Sequence, residues 1–381
     1  MSVMSKGWRK VALGDVLRIA SIPEVVHPER SYPNLGIYGF GRGVFTKPNI
    51  EGQETSAKIL YKVSAGQFIY SRLFAFEGAY AVVPATLDGA YVSNEFPTFD
   101  WNTGIANPRF VAWVFKRPSV WAAIAEMGVG MGDRRKRVHP DSLLSYSLKL
   151  PPLHMQHDIV ERLDAVSMRL KARAETAERQ KADLTAMLRA LIKIDANPVR
   201  LGKLLTQRPV DVSVEKTSHY QFAGVYSFGR GVFLGQRKAG SDFAYPRLTT
   251  LHSDDFTYPK LMAWEGAFGI VPPECDGCVV SSEFPVFAVD QERISSDILA
   301  IHFSDPQTWR ALSGGSTGTN ARRRRLHPDN LLAYEMPVPS PQVQKLVALL
   351  MPKVRALRTH QTAIATDADA LLPSMLNQIF G

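Results

Sequence analysis

The stretch GIYGFGRGVF, beginning at Gly36, returns as GVYSFGRGVF at Gly224, with eight of ten positions identical. The offset of 188 residues holds along the chain without a gap. FIYSRLFAFEGAYAVVP at Phe68 meets FTYPKLMAWEGAFGIVP at Phe256, and GAYVSNEFPTF at Gly89 meets GCVVSSEFPVF at Gly277. RRKRVHPDSLLSY at Arg134 meets RRRRLHPDNLLAY at Arg322, Gln156 falls on Gln344, and LGDVL at Leu13 falls on LGKLL at Leu201. The period is too long for a solenoid and marks the duplication of a domain-sized unit. The 381 residues must therefore fold as two like halves, each large enough to bury its own core.

Within each half the pattern changes character along its length. Phe68 to Pro84 alternates β-prone and small residues and ends at proline, which predicts strands in a compact sheet-containing domain. NPRFVAWVFKRPSVWAAIAEM has helical spacing interrupted at Pro118, and its counterpart breaks at Pro306. After Pro151 and Pro152 a long helix begins. Steps of four and three from Ile159 reach Leu163, Val166, Leu170, Arg173, Ala177, Gln180, Leu184, Met187, Leu191 and Ile194, and nine of these eleven positions are apolar. The shifted seam reads Val347, Met351, Val354, Arg358, Gln361, Ala365, Ala368, Leu372, Met375 and Ile379, with Pro352 placed to kink its start.

A stripe of this length needs a partner, and the second stripe is the obvious one. The expected fold class is thus α+β: two similar sheet-containing domains separated by two long helices that form an antiparallel coiled coil, pseudo-twofold symmetric. The alternative packs each helix on its own domain.

The net charge of +9 suggests a polyanionic partner. The sharpest basic cluster is Arg134, Arg135, Lys136, Arg137 and His139, repeated as Arg322, Arg323, Arg324, Arg325 and His327. Glycines precede both copies (Gly128, Gly130 and Gly132; Gly314, Gly315 and Gly318), allowing close backbone approach, and guanidinium groups pair with phosphates or guanine edges. Arg42 and Arg230 lie in the opening Gly-Arg-Gly phrase. There they either enter a groove or cover an aromatic ring from a β-turn. The matched carboxylates Glu77 and Glu265, and Glu95 and Glu283, are expected to partner buried arginines rather than to hold metal.

His154 and His157 become Gln342 and Lys345 in the second copy, which argues against a metal site there. Cys275 and Cys278 face Leu87 and Ala90 in the first copy, so packing is their expected role, and sparse cysteine suits a reducing cytoplasm. There is no phosphate-loop consensus, although GGSTGTNARRRR superficially resembles one. Nor is there a G-x-S-x-G elbow, an Asn/Asp-Pro-Pro-aromatic tetrapeptide or a nuclease carboxylate–lysine set. The N-terminus lacks the apolar run of a signal peptide, and no stretch approaches the ~20 apolar residues of a membrane span. The sequence-based expectation is a cytoplasmic reader without a catalyst.

At the helix junction LKLPPLHMQHDIV, with Leu150, Pro151, Pro152, Leu153, Gln156 and Ile159, the chain resembles the specificity subunits (HsdS-like) of type I restriction–modification systems. RRKRVHPDSLL and the two-copy plan share that resemblance, which covers essentially the whole chain. The second junction, MPVPSPQVQKLV, departs from it by placing Ser340 between Pro339 and Pro341. A further departure is that the two halves resemble each other throughout, whereas recognition domains in that family commonly diverge.

The resemblance implies recognition domains at 1–152 and 197–340 and spacer helices at 153–196 and 341–381. It implies a DNA-binding scaffold, not an enzyme, reading a bipartite double-stranded site. Two adenine-N6 methyltransferase subunits would carry S-adenosylmethionine, and restriction subunits would use ATP and Mg, leaving this chain without a cofactor. A rod of about 60 Å, at 1.5 Å per residue, matches about 18 base pairs. Base choice is expected in the most divergent segments, Thr46 to Gln67 and Leu234 to Asp255.

Three other readings remain open. An enzyme using Glu77, Glu95 and His139 would modify DNA unaided. A coiled-coil adaptor would not bind DNA. A specificity-like subunit of another defence system would be told by its neighbouring genes.

Overall fold

The computed structural model describes residues 7–129, 136–313 and 325–381. The chain divides into two compact units: Met1–Ala174 with Ile364–Gly381, and Glu175–Ala363. Each long helix therefore gives one part to each unit.

The first unit holds a five-stranded sheet in the order Ile22–Val25, Ile59–Lys62, Tyr91–Val92, Ser31–Ile37, Val44–Glu51. A four-stranded sheet runs Leu17–Ile19, Thr98–Trp101, Phe68–Tyr70, Tyr80–Val82. Arg9–Ala12 pairs antiparallel with Ser147–Leu150, tying the start of the domain to the strand that leads into the first long helix. The second unit repeats this plan. Its five-stranded sheet runs Val212–Ser213, Arg247–Thr250, Val279–Val280, His219–Tyr226, Gly231–Ala239. Its four-stranded sheet runs Leu205–Gln207, Val286–Val289, Phe256–Thr257, Gly269–Ile270, and Asn197–Arg200 pairs with Glu335–Val338.

Even the irregularities are duplicated. The hairpin of Ser31–Ile37 and Val44–Glu51 slips register between Tyr32 and Asn34, at Pro33, which has no N–H to give a ladder. The matching hairpin slips between Gln221 and Ala223. Short helices Pro108–Val114 and Ser296–Phe303 end just before the breaks predicted from proline, and Pro118–Ala125 and Pro306–Ser313 begin at them.

The long helices span Leu153–Leu191 and Pro341–Phe380, and the second runs through Pro352 and Pro373 without interruption. Each end is buried by the domain it touches. In the first unit Val160, Leu163 and Leu376 join a core with Phe110 and Trp113, while Ile159, Leu372 and Ile379 pack partly buried against it. In the second, Leu188, Ile192, Val347, Met351 and Val354 share a core with Phe256 and Phe303, flanked by Leu184 and Leu191. Val166 and Leu170 are half-buried.

The heptad seam differs from this pattern in one respect. Met187 is exposed, and its neighbour Leu188 is buried instead; Ile194, past the helix end at Leu191, is exposed as well. A straight helix drifts by about 20° per heptad from a strict 3.5-residue repeat, so after four heptads the buried face has moved by one residue. Where Arg173 and Gln180 interrupt the seam, the side chains are solvated, and Gln361 Nε2 reaches Gln180 Oε1 at 3.4 Å within the second unit.

Candidate nucleic-acid interface

Two polar features recur in both units. The first is the tip of the repeated hairpin. Phe40 and Phe228 have φ of 61° and 64°, the left-handed region that disfavours a residue with a Cβ by about 1–2 kcal/mol. Backbone clamps hold them there. Phe40 N–H donates to Glu77 O at 2.6 Å and Gly41 N–H to Gly78 O at 2.9 Å; Phe228 and Gly229 do the same to Glu265 and Gly266 at 2.8 and 2.9 Å. The clamp turns require glycine, because Gly78 and Gly266 have φ of 77° and 72° and a Cβ there would lie 2.4 and 2.2 Å from the rings of Trp121 and Trp309.

Beside each phenylalanine, an arginine lies on an aromatic ring. The Arg42 guanidinium is 5.1 Å from the Tyr38 ring centre, and its Nε–H donates to Gly39 O at 3.1 Å. Arg230 sits 4.7 Å from the Tyr226 ring centre and donates to Ser227 O at 3.1 Å. Each turn arginine thus covers an aromatic ring, as one of the two readings expected, while its side chain stays exposed. Glu77 and Glu265 contribute backbone carbonyls to the clamp, and the Glu265 carboxylate accepts from Ser227 Oγ at 3.0 Å; among the described residues no arginine pairs with either carboxylate.

The second feature is the basic segment. Arg134, Arg135, Arg322, Arg323 and Arg324 lie outside the described residues, as do Gly130, Gly132, Gly314, Gly315 and Gly318. The flanks of the segment are well anchored. Val129 and Arg137 exchange backbone hydrogen bonds, Val138 N–H donates to Arg72 O, and the buried Tyr70 hydroxyl donates to Val138 O at 2.9 Å. In the second unit Leu326 N–H donates to Lys260 O, and Tyr258 hydroxyl donates to Leu326 O at 3.2 Å. Burial pushes both phenol pKa values up, keeping them protonated donors.

Arg137 meets the Glu95 carboxylate at 3.0 Å, and Arg325 meets Glu283 at 3.3 Å. These are the arginine–glutamate pairs that the matched carboxylates suggested, though the arginine side chains are 45% and 59% exposed rather than buried. His139 and His327 cap the short helices that follow, each Nδ1 accepting from a backbone N–H two residues on at 3.4 Å. Lys136 is half-buried.

The two units are not identical beneath the hairpin tip. In the first, Lys116 Nζ lies 3.8 Å from a Trp113 ring centre, and burial pulls its pKa down. Ser304 and Ile301 occupy those positions in the second unit. There a cavity of about 520 Å³ opens, lined by Arg230, Lys181 and Arg358 among others, against about 100 Å³ at the corresponding place in the first unit. Sequence reading missed this difference and the strained phenylalanines. The signal available for the latter was the unchanged Phe in both copies.

Cys275 and Cys278 are buried thiols in a core with Leu251 and Val271, and burial raises Cys275 to about 11, which fits packing rather than reactivity. Among the described residues, no cluster of His, Cys, Asp and Glu is arranged to hold a metal ion, and no helix is long and apolar enough to cross a membrane.

These features define a tandem α+β protein with two equivalent sheet domains and two shared long helices. Solved structures with that architecture are subunits of type I restriction–modification systems. One, from work on complex assembly and conformational transition of the type I R-M system, aligns over 99% of this chain and 98% of its own, at 18% identity and TM-score 0.64. The S subunit from M. genitalium aligns over 100% and 98%, at 11% identity and TM-score 0.50. The HsdS subunit from Thermoanaerobacter tengcongensis aligns over 99% and 97%, at 18% identity and TM-score 0.49. At these identities the first two likenesses establish a shared fold and nothing beyond it. No family model matches the sequence, and no curated protein matches it.

Proposed function

We propose that this chain is the DNA-specificity subunit of a type I restriction–modification complex, a non-catalytic reader in the cytoplasm. Residues 1–152 and 197–340 are its recognition domains, and 153–196 and 341–381 its spacer helices. The observation that carries the reading is the duplication of an arginine-bearing surface at equivalent places in two equivalent domains, on a fold shared with such subunits. A bipartite target fits a reader with two heads. Two adenine-N6 methyltransferase subunits bring S-adenosylmethionine and flip the adenine, and restriction subunits bring ATP and Mg. The chain supplies phosphate contacts from Arg134, Arg135, Lys136, Arg137 and their counterparts, which makes binding salt-dependent.

Because the domains share topology, register and surface, the half-sites are similar and inverted, giving a near-palindrome with a gap. Co-expression with a candidate methyltransferase subunit and mapping of modified adenines tests both statements. Modification at one gapped inverted repeat is expected. Two unrelated half-sites would remove the symmetry claim, and no sequence-specific modification would remove the function.

A further inference from the structure

The repeated loop carries a residue that folding does not ask for. Phe40 and Phe228 are 63% and 64% exposed, so neither ring is there to fill a core. Both occupy left-handed backbone, where glycine or asparagine would sit with less strain. Each ring meets a tryptophan of its domain, 6.2 Å from Trp121 and 6.4 Å from Trp309 between centres, and the Arg42 guanidinium lies 5.8 Å from the Phe40 ring centre. Strained, exposed and twice retained, the phenylalanine is held outward for contact with something else.

The company it keeps narrows the partner. Arg42 and Arg230 lie beside the rings with Nε tied to a backbone carbonyl, which fixes each guanidinium and leaves its outer nitrogens to an anion. Glycine fills positions 39, 41 and 43 of the first loop and 229 and 231 of the second. Such a loop offers a ring, a cation and bare backbone. Protein hot spots need a surrounding rim of contacts that excludes water, and glycines provide none. A flat ring beside a fixed cation does match a nucleobase beside its phosphate. Because the loop is nearly identical in both copies while Thr46 to Gln67 and Leu234 to Asp255 differ, its task is common to both half-sites and independent of base identity.

We propose that Phe40 and Phe228 are wedges, each entering a base step of its own half-site and holding it unstacked, with Arg42 and Arg230 on the flanking phosphates. This rests on the DNA-reading function proposed above. Apolar side chains inserted between base pairs unstack and kink a duplex, and a target base leaves the helix more easily from a step already opened. The wedge thereby prepares the adenine that the partner enzyme must extract.

The test uses the full chain assembled with its methyltransferase subunits and duplexes of the mapped target. 2-Aminopurine is placed at successive steps of one half-site at a time. The expected result is a fluorescence rise at one step per half-site. Phe40→Gly should abolish it in one half-site and Phe228→Gly in the other, and the double variant should bind roughly ten- to a hundredfold more weakly with an unchanged salt slope. Phe→Leu at both positions should keep much of the signal. Glycine suits the left-handed backbone, so melting temperatures equal to or above wild type confirm that the fold is intact.

A rise that persists in the glycine variants overturns the proposal. So does loss of methyltransferase co-purification in their DNA-free preparations, which would make the loop a protein-docking surface. If the wild-type assembly binds no duplex, the DNA-reading function itself falls, an outcome separate from binding without a wedge signal.

Discussion

Gln156 Oε1 accepts the backbone N–H of Asn107 at 2.8 Å, joining the first turn of a long helix to the cap of a short one 49 positions earlier. Its Nε2 donates to Pro151 O at 2.8 Å and Ile105 O at 3.2 Å. Gln344 makes the same three links, to Ser295 N–H and to the carbonyls of Pro339 and Arg293 at 3.2–3.3 Å. One amide side chain thus sets where each long helix leaves its domain.

Gln156 is fully buried, so Gln156→Ala strands three backbone groups away from water and should cost about 2–4 kcal/mol. Gln344 is partly exposed, and water can replace its bonds, so Gln344→Ala should cost about 1 kcal/mol. Urea titration of the two variants measures the difference. Equal losses would contradict this account of the junctions.

His302 is buried at 5% exposure, with Nε2 3.2 Å from the Tyr334 hydroxyl. Burial lowers its pKa to about 4; Lys193 acts in the same direction and Asp305 against it. The unfolded chain takes up this proton near pH 6.5 and the folded chain only near 4. Stability from this group is therefore complete above about pH 6.5 and falls by about 3 kcal/mol as pH drops to 4. The first copy has Val114 at this position. His302→Val should flatten the stability profile between pH 6.5 and 4, and an unchanged acid slope by urea titration would exclude His302 as its source.

Much of this was legible from the 188-residue repeat, because a duplicated sequence must find its solution twice. Gln156 and Gln344, the paired prolines and the ends of the helical seam all carried local signals. The strain at Phe40 did not, since its left-handed backbone is imposed by carbonyls of residues 77 and 78, which sequence spacing cannot place beside it. The shift from Met187 to Leu188 escaped for a related reason. A strict heptad count accumulates angular error, and only contact with the domain core shows which face is buried.

Thr46 to Gln67 includes most of one edge strand, Val44–Glu51, and the strand Ile59–Lys62, with Lys47 and Lys58 exposed in part or in full. Its counterpart, Leu234 to Asp255, contains Arg237, Lys238 and Arg247 on strands that pair identically in topology. Grafting 234–254 onto 46–66, which keeps the buried Gln67 donating to Asp100, should leave the fold intact and convert the first half-site into a copy of the second. Adenine mapping in a host carrying the graft reads the result, and an unchanged target would assign base choice elsewhere.

Charge in the basic segment should act through counterion release. Each phosphate contact contributes about 0.9 to the slope of log affinity against log salt. Arg134→Ala with Arg135→Ala should therefore weaken binding to all duplexes and make that slope shallower by about 1.8. Arg137 differs, because Glu95 already holds it at 3.0 Å and competes with a phosphate. The pair is half-exposed, so its coupling is worth no more than about 1 kcal/mol, and Glu95→Gln should leave stability almost unchanged. It should also free the guanidinium, tightening DNA binding and steepening the slope by about 0.9. Fluorescence anisotropy across a salt series reads both effects. A double-alanine variant with unaltered affinity and slope would return the arginines to ordinary solvated surface, and a Glu95→Gln variant that binds no more tightly would confine Arg137 to anchoring the segment's base.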